Sequence, residues 1–472
     1  RIRVLARRDP FDRFVSVLVY VPRDRYTTDL RSRIAEMLET RFDGKVVSFM
    51  PSFPEGILTR IHYIVGRYRG QTPVIAQAEL EAEVARLVRT WADDFAEAAA
   101  EGRDPTTARA LVVRWGDAFE PAYRAAVGPR TAVGDVVAMA GLTAEAPLAV
   151  AFYRRPAASP EKLALRLYHR DAPIALSERV PLLENMGLSV IDESTWRIAP
   201  VDGPAIFLHD MALTHAEGRP IDLTEELDAR LEDMLVAVRS GRAESDGYDA
   251  LARAAGLGRR EVALLRAIGH YLRQIRVPQS QDVMWGALRR FPAIAVDLVA
   301  LFRARFDPQV VGDGDAAEAE IAAHIEAALG AVASLDDDTV LRRFMDVIRA
   351  MVRTDFWRPE ADGAPRDTLA FKLDPARIPG LPDPKPHREI WICGPTVEGV
   401  HLRFGPVARG GLRWSDRALD FRTEVLGLVK AQQVKNAVIV PVGAKGGFFP
   451  KRLTSSMSRD AFLAEGTAAY RT

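Results

Sequence analysis

The chain has 472 residues, with 64 Lys and Arg against 64 Asp and Glu, 48% hydrophobic residues, 27% charged residues and a single cysteine. That length calls for two to four domains rather than one core. The neutral balance leaves no aromatic-interleaved basic face for nucleic acid, and no run of about eighteen apolar residues reads as a membrane-crossing helix, so an ordinary soluble, cytoplasmic protein is expected.

The opening segment RIRVLARRDPFDRF lacks the apolar core of a signal peptide. The chain starts at Arg1 and closes on a helix-like segment, Asp460 to Tyr470, so both ends read as cut. Phe14 to Val21 predicts a strand, and Thr27 or Thr28 can cap a helix through Ile34 and Leu38 to Phe42. Strands follow at Lys45 to Met50 and Ile57 to Val65, the latter alternating as a half-buried strand should. Gln77 to Ala100 and Pro105 to Val127 read as helices, with Val84, Leu87, Val88 and Trp91 at the spacing of a core stripe. Extended segments return at Ala149 to Arg154 and Leu163 to His169. A helix from Ser177 to Met186 then closes on Gly187, and strands follow at Leu188 to Ile191 and Ala205 to Leu213. From Leu223 to Trp357 nearly everything reads helical, punctuated by Gly256, Pro278, Pro292 and Val311 to Asp315. The proline-rich segment Pro359 to Pro386 marks a boundary, after which Ile390 to Cys393 and Val400 to Phe404 read as strands. The expected division is 1–72, 73–145, 146–216, 217–360 and 361–472.

Chemistry concentrates between Arg403 and Arg452, where Arg and Lys outnumber Asp and Glu and draw in an anion. At about 100° per residue, Phe421, Glu424, Val425, Leu428, Val429, Gln432, Lys435 and Asn436 share one helix face, with Leu426 and Val434 off it. Lys435 is therefore expected to point inward and Lys430 to solvent. Val438 to Val442 reads as a covered strand that delivers the Gly443-Ala444-Lys445-Gly446-Gly447 turn, and open α/β sheets bind ligands outside the carboxyl ends of their strands. A partly desolvated lysine crowded by cations can exchange protons near neutral pH. The competing reading is a solvated turn lysine at 445 and a snorkelling lysine at 435.

Other signals are weaker. The eight histidines are scattered without an HExxH, so no metal is expected, and His401 reads as a surface histidine near the motif. Cys393 lies in an apolar run and reads as a buried structural thiol. No GxGxxG occurs; Gly256-Leu-Gly258-Arg-Arg-Glu is nearest and fails at the third glycine, and there is no Walker sequence.

The order Gly405-Pro406, Arg409-Gly-Gly-Leu-Arg-Trp414, helix, Gln432-x-x-Lys435-Asn436, apolar strand, Pro441-x-Gly-Ala-Lys-Gly-Gly447 resembles the substrate-domain core of glutamate dehydrogenases. Arg413-Trp-Ser-Asp-Arg417 and Leu183 to Asp192 look like the large, NAD-specific bacterial class. The fold class that follows is multidomain, α+β and α/β: ACT-like β-α-β modules, a helical connector and the start of a glutamate-dehydrogenase-type substrate domain. The Pro22 to Tyr26 connection lacks the glycine that amino-acid-binding ACT modules usually carry, which argues against a ligand at that copy. By resemblance, Lys445 is the catalytic lysine and Lys435 binds the carboxylate next to the reacting carbon. Arg409 stands where smaller relatives use a lysine for the distal carboxylate, while Gly410 and Gly411 bring backbone to the substrate. The implied reaction is NAD-dependent oxidative deamination of L-glutamate to 2-oxoglutarate and ammonia, with NAD held mainly by a domain outside this chain. An amino-acid effector and a homo-oligomer are implied partners. The rival readings are an amino-acid-sensing regulatory segment or scaffold without activity of its own, and phosphate or nucleic-acid binding by the basic glycine-rich stretch.

Overall fold

The computed structural model describes residues 2–68, 70–156, 158–310, 314–406, 410–435 and 442–472, with Lys435 described only as the last residue of its helix. The chain forms two compact units, Arg1–Ala140 with Arg197–Ala205, and Gly141–Trp196 with Ile206–Thr472.

The first unit holds β1 (Arg3–Arg8), β2 (Phe14–Pro22), α1 (Thr28–Phe42), β3 (Lys45–Ser52) and β4 (Leu58–Gly66). These are followed by α2 (Gln77–Val88), α3 (Trp91–Ala100), α4 (Pro105–Trp115), α5 (Pro121–Ala126) and α6 (Pro129–Ala140). Its sheet is antiparallel in the order β1-β2-β4-β3. Alternation decides which face is covered: Val15, Val17, Val19 and Val21 are buried against Ile34 and Leu38 of α1 and Leu80 and Val84 of α2. Each such side chain contributes at most about 1.5–3 kcal/mol. Thr27 makes the cap, its hydroxyl accepting the Leu30 amide at 3.1 Å. β1 was not expected, because only Val4 of its six residues is buried and the arginines around it hide the strand pattern. The helix expected over 77–100 breaks at Arg89–Thr90, where Thr90 and Asp93 form a reciprocal capping box. Trp91 thus leaves the stripe of Val84 and stacks on Phe95 instead. The helix expected over 105–127 is likewise interrupted, its second part starting at Pro121, where a missing N–H costs nothing.

The second unit opens with β5 (Leu148–Tyr153), β6 (Lys162–Arg170), α7 (Leu176–Asn185), β7 (Leu188–Ile198) and β8 (Ile206–His215), in the sheet order β5-β6-β8-β7. Gly187 ends α7 with φ +79°, a conformation open to glycine. The helices α8 (Glu225–Arg239), α9 (Leu251–Ala254), α10 (Arg259–Gln274), α11 (Gln281–Arg290), α12 (Pro292–Phe306), α13 (Gly314–Leu329) and α14 (Leu335–Ala350) follow. No described helix is long and apolar enough to cross a membrane.

A mixed sheet closes the unit, with β9 (Met351–Thr354), β10 (Leu369–Leu373), β11 (Arg388–Cys393), β12 (Val397–Arg403), β13 (Leu412–Trp414), α15 (Phe421–Lys435), β14 (Ala444–Pro450) and α16 (Arg459–Arg471). Its order is β13-β14-β12-β11-β10-β9, and β13 with β14 is the one parallel pair among the described strands. Residues 351–354, expected to be helical with the rest of Leu223 to Trp357, instead pair with β10. α10 lies beneath this sheet and is buried along most of its length. Trp391 Nε1 donates to Ala267 O at 2.9 Å, His270 Nδ1 meets Glu398 at 2.7 Å, and Gln274 Nε2 donates to Ala418 O at 2.8 Å.

Candidate functional site

The glycine-rich stretch assembles against β14. In the β12–β14 register Lys445 stands opposite Leu402, Gly446 opposite His401 and Gly447 opposite Val400. Side chains alternate, so Lys445 and Gly447 share the face that α15 covers and His401 lies on the other. His401 therefore does not line the Lys445 face; it is half-buried, and burial together with Arg403 pushes its pKa down. A Cβ on Gly447 would stand 2.4 Å from Val425 Cγ2 of α15, and one on Gly446 2.2 Å from Leu412 Cδ2 of β13. The two glycines let a helix and a strand close on β14. This is why Ala444–Gly447 is strand and not the turn its composition suggests, with the half-buried Lys445 near the start of that strand.

Gly410 makes the closest approach of all. A Cβ there would fall 1.7 Å from the Ala444 carbonyl oxygen, and the Gly411 carbonyl accepts the Gly446 amide at 3.2 Å. Gly410 and Gly411 thus lie on the peptide that carries Lys445. The last turns of α15 reach the same place from the other side. Gly443, at φ +66°, faces Val429, Gln432 and Gln433, and Gln433 Nε2 donates to Val442 O at 3.1 Å. The helix that ends on Lys435 therefore runs against the residues leading into Lys445. The Lys435 side chain, Arg409, Asn436 and Val438 to Pro441 of the expected apolar strand lie outside the described residues.

α15 is rotated relative to the expected face. Phe421, Val425 and Val429 are buried as predicted, but so are Arg422 and Leu426, while Leu428 and Gln432 are half-buried. The cause is a bidentate ion pair, Arg422 Nε and Nη2 each 2.7 Å from a Glu389 oxygen, with both side chains fully enclosed. Burial opposes the Arg422 charge, but the Glu389 carboxylate more than restores it and raises the pKa. Lys430 points to solvent as expected. The cationic excess is smaller than its count, because Arg413 pairs with Glu424 and Arg417 with Asp420. The other Glu424 oxygen accepts Ser415 Oγ at 2.6 Å. Burial pulls the Glu424 pKa upward, and the bonds from Ser415 and Arg413 outweigh it and hold the group below the usual range.

Five family descriptions match successive parts of the chain. They are the ACT2 domain of glutamate dehydrogenase over 3–92, its helical motif 2 over 98–142, its ACT3 domain over 147–226, its helical motif 3 over 243–308, and the catalytic domain of bacterial NAD-glutamate dehydrogenase over 324–472. The chain belongs to the large NAD-specific glutamate dehydrogenases. It is similar to the NAD-specific glutamate dehydrogenase of Halomonas elongata, 44% identical over all of this chain and 29% of that protein. It is also similar to that of Pseudomonas aeruginosa, 42% identical over all of this chain and 29% of that protein. The Mycobacterium tuberculosis protein is 39% identical over 98% of this chain and 30% of its own length. The chain thus spans under a third of these relatives.

The family's dinucleotide finds no cradle among the described residues. The parallel pair β13–β14 is joined through α15, the geometry in which a glycine-rich turn would cradle a pyrophosphate. Here the turn Ser415–Asp420 has no glycine, and before the helix start stands Asp420, already paired with Arg417.

One cluster escaped the sequence reading. Glu244, His270 and Cys393 place ligand-type atoms within 4.8 Å of one another. The Lys451 ammonium stands among them, 2.7 Å from Glu244 and 3.0 Å from Glu398, and so takes the cation position. Burial raises the Lys451 and Glu398 costs alike, yet their attraction keeps Lys451 high and Glu398 low. Cys393 is buried, as its apolar run implied, and burial pushes its thiol up. These residues lie up to 207 positions apart, so no spacing signals them.

Proposed function

We propose that this chain supplies regulatory modules and part of the substrate site of an enzyme that oxidatively deaminates L-glutamate to 2-oxoglutarate and ammonia, with NAD as the hydride acceptor. Lys445 is the catalytic lysine, Lys435 and Arg409 take the two carboxylates, and the Gly410 and Gly411 backbone lies along the substrate. The observation that carries this reading is the contact of Gly410 with the Ala444–Lys445 peptide, which needs a glycine and sets open backbone beside a half-buried amine. Such an amine, held on a strand rather than a loose turn, can pass a proton at the reacting carbon without first being ordered. An amino-acid effector and self-association belong to the same proposal.

The test is Lys445→Ala in the intact protein. Turnover should fall by about 10³-fold or more, within the range for loss of a proton-transfer group, while the thermal unfolding profile stays unchanged. Activity within tenfold of the parent would remove Lys445 from the chemistry.

A further inference from the structure

A second cluster lies far along the chain from the glycine-rich stretch, where β8 ends and α9 and α11 begin and close. His215 is the last residue of β8 and is 2% exposed. The Glu217 amide donates to its Nδ1 at 2.8 Å, so Nδ1 carries the lone pair and a neutral ring carries its proton on Nε2. That Nε2–H is buried and has no acceptor among the described residues. Arg253 of α9 is half-buried beside it, and its Nε is also buried without a partner. Gly187 leaves the room: a Cβ there would come 2.9 Å from Arg253 Nη2.

Two more guanidiniums complete the group. Arg219 lies 2.7 Å and Arg289 3.5 Å from the one Glu217 carboxylate. Three permanent cations therefore share a single anion, and the mutual repulsion shows in the proton equilibria. Burial, Arg219 and Arg289 push Arg253 down to about 10, and burial with Arg253 and Arg219 lowers His215. A buried donor with no acceptor is costly, and one carboxylate shared among three guanidiniums leaves them under-compensated; an oxyanion would relieve both. Arg219 and Arg289 are 55% and 35% exposed and are the members of the group that an anion from solvent would meet first.

We propose that His215, Arg253, Arg219 and Arg289 form a binding site for a small oxyanion, a carboxylate or a phosphate. The guanidinium forks suit either group, and the His215 Nε2–H supplies a neutral donor at the buried end. The site is independent of the reading given to Lys445.

The test is calorimetric titration of the intact protein at low ionic strength with inorganic phosphate and, separately, with succinate. We expect one of them to saturate a single site. Arg253→Gln should weaken that binding about tenfold or more, and Arg219→Gln, an exposed change that cannot compromise the fold, about three- to tenfold. Arg377→Gln, on an exposed residue elsewhere, should leave it unchanged. Saturation by phosphate alone assigns a phosphate ester as the natural ligand class, and by succinate alone an organic acid. No saturable heat with either, or binding indifferent to both Arg253 and Arg219, as succinate seated at the glycine-rich stretch would be, overturns the proposal.

Discussion

Arg422 and Glu389 offer the sharpest test of how the site is held. Both side chains are 1% exposed or less, and two 2.7 Å bonds join them between α15 and β11. Glu389→Gln keeps the shape but leaves a guanidinium enclosed without its counter-charge, a change that costs about 3–5 kcal/mol. Arg422→Met leaves the carboxylate stranded and should cost as much. The double variant Glu389→Leu/Arg422→Met removes both charges into a core that already contains Trp391 and Phe421, whose rings stack at 6.0 Å. It should return to within about 1 kcal/mol of the parent or exceed it, because a buried pair is often replaceable by packed apolar groups. Hydrogen exchange of the amides in 421–435, followed by mass spectrometry, reads this locally. Each single variant should exchange about 10²- to 10⁴-fold faster, and the double near the parent rate. Single variants that exchange no faster than the double would refute the reasoning, since the cost would then lie in lost packing and not in unpaired charge.

Other outcomes follow from local geometry. Gly410→Ala should cut glutamate turnover by about 10²-fold or more while Gly411→Ala retains most of it. A Cβ at 410 meets the Ala444 carbonyl at 1.7 Å, whereas one at 411 meets nothing within 4 Å, and equal effects measured by steady-state kinetics would count against the close approach. His209 is buried, accepts the Ile174 amide at Nε2 and contacts Thr195 Oγ1 at 2.8 Å. Burial and Arg179 push its pKa down to about 4. Its folded pKa is depressed, so the stabilisation is complete above about 6.5 and is lost as pH falls from there toward 4, amounting at most to about 3 kcal/mol. Urea midpoints should fall across that window in the parent and less in His209→Gln; parallel slopes would show that other groups govern the loss.

Much of the architecture was legible because alternation and helical spacing are local. The strands at Phe14–Pro22 and Leu58–Gly66, the helix on Thr27 and the cap at Gly187 all follow from side chains a few positions apart. The break before Trp91 has a local signal too, since Thr90 and Asp93 stand at capping-box spacing, but the apolar stripe of Val84, Leu87, Val88 and Trp91 runs across it and masks it. β1 and β9 were missed for a different reason: edge strands bury few residues, and partners supplied from elsewhere decide their state.

At the glycine-rich stretch the motif marked out a set of residues but not how they are packed. The glycines of Gly446-Gly447 read as a bend, and only the positions of Leu412 and Val425 show that they serve close packing of a strand. Arg422 was assigned to no role because its partner Glu389 lies 33 residues away, and an enclosed arginine cannot be told from a solvated one by spacing. Lys451, His270 and Glu398 are hidden by greater separations still.

α10 meets the sheet that holds β11 and β12 through apolar packing, Tyr271 against Trp391 among it, and through enclosed polar links: the indole of Trp391, the carboxylate of Glu398, and the amide of Gln274, which donates to Ala418 and accepts from the Arg422 backbone. The apolar contacts alone would tolerate small slides, whereas the polar links have one good geometry each. Sliding the sheet along the helix by even a fraction of a turn would strand them all together, so sheet and helix must travel as one piece. Any relative movement within this unit has to be absorbed outside the joint.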